Sequence, residues 1–132
     1  MENTNEFKGY WALILGGSSG LGLASAKKLA CQGMNICIIH RDRKSNLPSF
    51  ENDISEMKLK GVEVRTFNKD ALTDETMEEV LSSLPKQSVK VLLHSIAKGS
   101  VKPMRTVDGD SLTKEDLNIT LHAMGTSWYV WT

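Results

Sequence analysis

The sequence predicts an α/β fold, a doubly wound parallel sheet of which this chain carries the first half: about four strands with flanking helices. Two observations predict it. Apolar runs alternate with helical patterns in the order βαβαβαβα. Strict alternation implies parallel strands, right-handed crossovers and helices on both faces. In addition, the first apolar run gives way to a helix through the glycine-rich turn "LGGSSGLG", Leu15 to Gly22.

Each element follows from its local pattern. "YWALILG" is a nearly continuous apolar run, as suits a central strand buried on both faces. "GLGLASAKKLACQG" places Leu23, Ala26 and Ala30 on one helical face and Lys27 and Lys28 towards solvent, with Gly33 as the stop. "MNICIIH" is the second strand. "NLPSFENDISEMKLKG" spaces Phe50, Ile54 and Met57 as a helix ending at Gly61. "VEVRTFN" is the third strand. "LTDETMEEVLSSLP" is a helix capped by Thr73, with Met77, Val80, Leu81 and Leu84 inside and Pro85 beyond. "VKVLLHSIA" is the fourth strand, and "KGSVKPMRTVDGDS" a loop. From Leu112 onward, Leu117, Leu121, Met124, Trp128 and Trp131 form a stripe on one helical face. Part of it is expected to pack on the sheet and the rest to pair with another copy.

Composition narrows the function. The 132 residues fit one domain, 1–132, with no linker, repeat or low-complexity tract. Lys+Arg and Asp+Glu are 16 each, so no global charge draws the chain to nucleic acid or anionic lipid. No apolar run is long enough for a membrane span. The polar start "MENTNEFKGY" has no signal core, and a cytoplasmic protein is expected. Cys31 and Cys37, one in a helix and one in a strand, read as reduced structural thiols; no metal-ligand spacing is present.

The glycine turn is the strongest functional signal. Gly16 lets the chain turn off the strand, Gly20 removes a side chain where a pyrophosphate approaches, and Gly22 permits close helix–strand packing. The pattern resembles the cofactor motif Thr-Gly-x-x-x-Gly-x-Gly of the short-chain dehydrogenase/reductase family, with Leu15 in place of Thr. The resemblance implies a Rossmann-like fold with Gly16, Ser18, Ser19, Gly20, Leu21 and Gly22 at the cofactor. At the end of the second strand, "IIHRDRKS" puts His40 at the usual acidic position, followed by Arg41 and Arg43. Two guanidinium groups suit a 2′-phosphate, so NADP(H) is expected over NAD(H). A solvated charged turn is the alternative for Arg41, Arg43 and Lys44, and Asp42, one residue late, leaves NAD(H) open. In "FNKDALTDE" the resemblance assigns Asp70 and Ala71 to the adenine, although a turn residue would also explain Asp70. "LLHSIAKGS" departs from the family's usual Asn-Asn-Ala-Gly and resembles the enoyl-acyl-carrier-protein reductase branch, which would set Ser95, Ile96 and Ala97 against the nicotinamide ribose. His94 then reads as a core histidine, and His122, at the position of the family's helix Asn, as a helix-core or water-bonded residue.

No catalytic residue is assigned. The family's proton donor is a Tyr with a Lys four residues on, or six in the enoyl reductase branch. Tyr10 and Tyr129 are the only tyrosines, and neither has that partner within these residues. The chain therefore reads as the N-terminal portion of an oxidoreductase that reduces an enoyl or keto thioester and is itself inactive alone. The expected partners are a small-molecule or acyl-carrier-bound substrate, with Lys98, Lys102 and Arg105 as its rim or simply a solvated loop. A homo-oligomer formed through the last helix is also expected. The competing readings are a non-catalytic nucleotide-binding module and an interaction protein.

Overall fold

The computed structural model describes residues 5–132 as two compact units, one ending at Ser95 and one spanning Ile96–Thr132. The first unit carries strands β1 (Trp11–Leu15), β2 (Asn35–His40), β3 (Val64–Asn68) and β4 (Val89–His94). Between them run helices α1 (Gly20–Cys31), α2 (Leu47–Lys58) and α3 (Asp74–Ser83). All pairings are parallel, in the order β3-β2-β1-β4. The doubly wound arrangement expected from strict alternation is therefore present, with β1 at its centre.

Period-2 alternation sorts the strand residues. Ala12 and Ile14 of β1, Ile36 and Ile38 of β2 and Val64 of β3 join Ala26 and Ala30 of α1 and Phe50 and Met57 of α2 in one core. Leu13, Leu15, Cys37 and Ile39 are buried as well. The central strands are thus covered on both faces, which explains why they read as continuous apolar runs. Lys27 clips α1 to α2 through Asp53 and Glu56, each at 2.7 Å. The β3-to-β4 crossover runs in the opposite direction to the first two, so α3 belongs to the other face. Its Val80 is fully buried, Thr73 caps it by accepting from the Thr76 amide, and Leu81, expected inside, is exposed.

The second unit begins with a loop and continues as α4 (Lys114–Leu121), one π turn (His122–Thr126) and α5 (Ser127–Val130). Thr113 and Asp116 form a reciprocal capping box at its start. Asp116, Ala123, Ser127 and Trp131 are its buried residues. Leu117, Leu121, Met124 and Trp128 are exposed, so only Trp131 of the predicted stripe is buried. The buried side runs along Asp116, Ala123 and Ser127, one residue ahead of the stripe, and this offset is already present in α4, where Asp116 is buried and Leu117 exposed. No helix among the described residues is long and apolar enough to cross a membrane.

Candidate functional site

The four parallel strands end along one edge, where open α/β sheets receive ligands. The chain leaves β1 at Gly16, whose φ of +84 lies in the left-handed region that favours glycine. Its N–H donates to the Ile39 carbonyl at 2.8 Å, pinning the turn to β2. Gly22 lies so close to this turn that a Cβ would stand 2.2 Å from the Gly16 carbonyl oxygen. Helix and strand reach that distance only because residue 22 has no side chain. Gly20, at φ +55, is different: a Cβ there meets nothing within 4 Å. The space beside its backbone is open, as a cradle for a phosphate requires. Gly17, which motif spacing does not single out, is demanded by the core, since a Cβ would lie 2.8 Å from Ile38. Ser19 is the N-cap of α1 but makes no side-chain cap bond, and Leu21 is exposed. The first turn of α1 holds no acidic residue, so nothing opposes an anion at its amides.

Beside this turn, the end of β2 is organised around Asp42. His40 is 5% exposed, its ring packed in a tilted, T-shaped contact with Phe50, centroids 4.7 Å apart. Its Nδ1 lies 2.7 Å from Asp42 Oδ2. Asn68, the last residue of β3, clamps the Asp42 backbone: its Oδ1 accepts from the Asp42 amide at 3.0 Å and its Nδ2 donates to the Asp42 carbonyl at 3.1 Å. Burial opposes ionisation of Asp42, but hydrogen bonds from Ser18 and His40 outweigh it and hold the carboxyl below the usual range. Asp42 is therefore an ionised carboxylate tied to the glycine turn, a role that its place one residue past the usual acidic position had concealed. The signal was the pair of polar residues closing β2 and β3, His40 and Asn68, which are register partners.

Arg41 turns outward and pairs with Asp70 at 3.1 Å; its side chain is 62% exposed. Arg43 is exposed at the head of the short 3-10 turn Lys44–Asn46. Asp70 also accepts the Leu72 amide at 2.9 Å, so it serves both as a turn residue and as the partner of Arg41. Ala71 is buried beside it in sequence. The fourth strand stops at His94, short of the expected Ala97. The Ser95 amide donates to the Leu15 carbonyl at 2.7 Å, holding this strand end against β1. Ile96 and Ala97 open the second unit, half-buried and exposed respectively.

Within the second unit, Ser100 donates its amide to Thr120 Oγ1 at 3.0 Å, and Lys102 sits 3.4 Å from both Asp110 and Asp116. Lys98 and Arg105 are exposed. His122 is exposed at the start of the π turn, with Nδ1 3.3 Å from the Thr126 hydroxyl. Of the two readings of His122, helix-core and water-bonded, its exposure removes the first. Among the described residues, no group of three or more His, Cys, Asp or Glu is placed to hold a metal ion.

Residues 11–119 match the family model described as KR domain. The chain belongs to this family, within the short-chain dehydrogenases/reductases. The KR-domain chain is 30% identical over 116 residues to the very-long-chain 3-oxoacyl-CoA reductase of Mus musculus, covering 86% of this chain and 36% of that protein. The Podospora anserina protein of the same name is 26% identical over 123 residues, covering 90% and 35%. Among solved structures, a 3-oxoacyl-[acyl-carrier protein] reductase from Brucella melitensis superposes with a TM-score of 0.69 at 22% identity, covering 92% of this chain and 47% of that one. An actinorhodin polyketide ketoreductase with NADPH gives 0.71 at 19%, covering 92% and 44%. The likenesses to solved structures establish the fold. The chain spans about a third of the length of the curated relatives it matches and under half of these two solved chains.

Proposed function

We propose that this KR-domain chain is the cofactor-binding portion of an NADP(H)-preferring reductase that acts on an enoyl or keto thioester of the fatty-acid type. The observation that carries this reading is the glycine turn: open space beside Gly20 at the head of α1, with Arg41 and Arg43 following the adjacent strand end. The pyrophosphate is held by the amides at the start of α1. The exposed Arg41–Asp70 pair contributes little by itself, so its guanidinium transfers to a 2′-phosphate at small cost. When bound, the nicotinamide supplies the hydride. This chain's residues bind and orient it: Asp70 and Ala71 beside the adenine, and Ser95, at the end of β4, towards the nicotinamide ribose. The names of the relatives favour a keto thioester. The segment His94–Ala97 favours the enoyl branch.

NAD(H) is the second reading, and Asp42 favours it. An ionised carboxylate beside Ser18 is a ready acceptor for ribose hydroxyls. Titrating the chain with NADPH and NADH separates the two. NADPH is expected to bind more tightly, and Arg41→Ala with Arg43→Ala is expected to abolish that margin. Equal affinities in the unaltered chain would overturn the preference. The reading extends to self-association through the exposed side of α4 and α5, where Leu117, Leu121, Met124 and Trp128 present apolar surface.

A further inference from the structure

We infer that Asn68 is a specificity-determining positioning residue: its side-chain amide, closed on the backbone of Asp42, sets Arg41 and Arg43 on one side of the chain beyond β2 and thereby sets the preference for NADPH over NADH. The inference rests on the reading of this edge as an NADP(H) site and names the residue that organises it.

Neither arginine lies in a strand. β2 ends at His40, and β3 ends at Asn68, its register partner. Along a strand, the N–H and C=O of one residue face the same neighbouring strand. Asp42, two residues past the end of β2, still turns both groups towards β3, and there the Asn68 side chain meets them. Its Oδ1 accepts from the Asp42 amide at 3.0 Å, and its Nδ2 donates to the Asp42 carbonyl at 3.1 Å. A carboxamide carries a donor and an acceptor, as a peptide unit does, so it stands in for one rung of the ladder. The main chain after β3 is thereby free to turn: Asp70 Oδ1 accepts the Leu72 amide at 2.9 Å, and the Asp70 carbonyl accepts the Thr73 hydroxyl at 3.1 Å.

That rung fixes which way the side chains leave. In extended backbone, residues two apart share a side. His40 and Asp42 meet on one side, with Nδ1 2.7 Å from Oδ2, and Ser18 and Asn46 bond the Asp42 carboxylate there. Arg41 and Arg43 therefore leave on the other. Arg43 keeps extended backbone, at φ −72 and ψ 154. Two residues of extended chain span about 7 Å, so both guanidinium groups can reach one phosphate. Without the rung, the ordering of both arginines has to be supplied at the moment of binding. NADH has no 2′-phosphate and does not draw on that ordering.

Asn68 is itself exposed. Removing its side chain opens no void in the core, and water reaches the Asp42 backbone in its place. The loss is one of position and leaves the fold intact.

The test is calorimetric titration with NADPH and with NADH. The chains compared are the unaltered one, Asn68→Ala, Arg41→Ala with Arg43→Ala, and the three substitutions together. Asn68→Ala should weaken NADPH by roughly tenfold, the scale of one hydrogen bond to a charged group, and leave NADH unaltered. Asn68→Leu, which keeps the volume and removes both polar groups, should do the same. In the chain without the two arginines, Asn68→Ala should no longer change the ratio of affinities, because the effect passes through them. Equal losses for both cofactors, no loss for NADPH, or a tenfold loss that persists without the arginines would each overturn the inference alone. An unaltered chain that binds both cofactors equally, or neither, overturns the NADP(H) reading and the inference with it.

Discussion

Gly20 and Gly22 stand two residues apart in one motif, and substitution should separate their roles. Gly22→Ala forces a Cβ onto a backbone carbonyl that cannot give way. Overpacking of this kind costs about 1–3 kcal/mol or more, and thermal unfolding should show a lowered midpoint. Gly20→Val adds a side chain into open space, at a left-handed position that costs roughly 1–2 kcal/mol. The fold should persist while cofactor titration shows binding lost; a Gly20→Val chain with unaltered affinity would mean that the turn does not cradle phosphate. These two residues were legible in the sequence because their spacing encodes backbone geometry. Gly17 was not, and of Asp42 only its place one residue past the usual acidic position was. Gly17 is fixed by the Ile38 side chain of another strand, and Asp42 by hydrogen bonds to Ser18, His40 and Asn68, partners that only the folded sheet assembles.

Helix α4 shows how far local rules carry an element. Its capping box ties the first turn to Thr113, and Thr113→Ala should cost about 1 kcal/mol. Asp116 is held well below the usual carboxylate range, first by the Thr113 amide, then by the Thr113 hydroxyl, with Lys102 adding to it. A depressed folded-state value means the stabilisation is present above the ordinary Asp value of about 4 and is lost as the pH falls below it. Circular dichroism should therefore show the α4 region loosening on acidification in that range, and Asp116→Asn should already be loosened at neutral pH. No loss of helix in either case would sever the link between this carboxylate and the helix start. The central strands β1 and β2 were readable because burial on both faces leaves an unbroken apolar run. The face of the last helix was not, because apolar spacing points to Leu117, Leu121, Met124 and Trp128, whereas the buried side runs through Asp116, Ala123 and Ser127, small or polar residues with no apolar signal.

At the scale of the whole molecule, the exposed side of α4 and α5 sets the expected solution behaviour. Four large apolar side chains there are about half or more open to water, while Trp131 is 7% exposed. Light scattering over a concentration series should show association, and Leu121→Glu with Trp128→Glu should return the chain to a monomer. A monomer at every concentration would remove the proposed interface. The order β3-β2-β1-β4 also has a kinetic side. Trp11 pairs with Asn35, and also with Val89, a partner roughly three times as far along the chain. Closing the longer loop costs about 1 kcal/mol more entropy. The central strand is thus made early with its near neighbour and waits for its distant one, since non-local pairings form slowly. Pulse-labelled amide exchange during refolding should find Ile36–Ile39 protected before Val91–Leu93, so the strand end that carries Ser95 is the last part of the site to take its place.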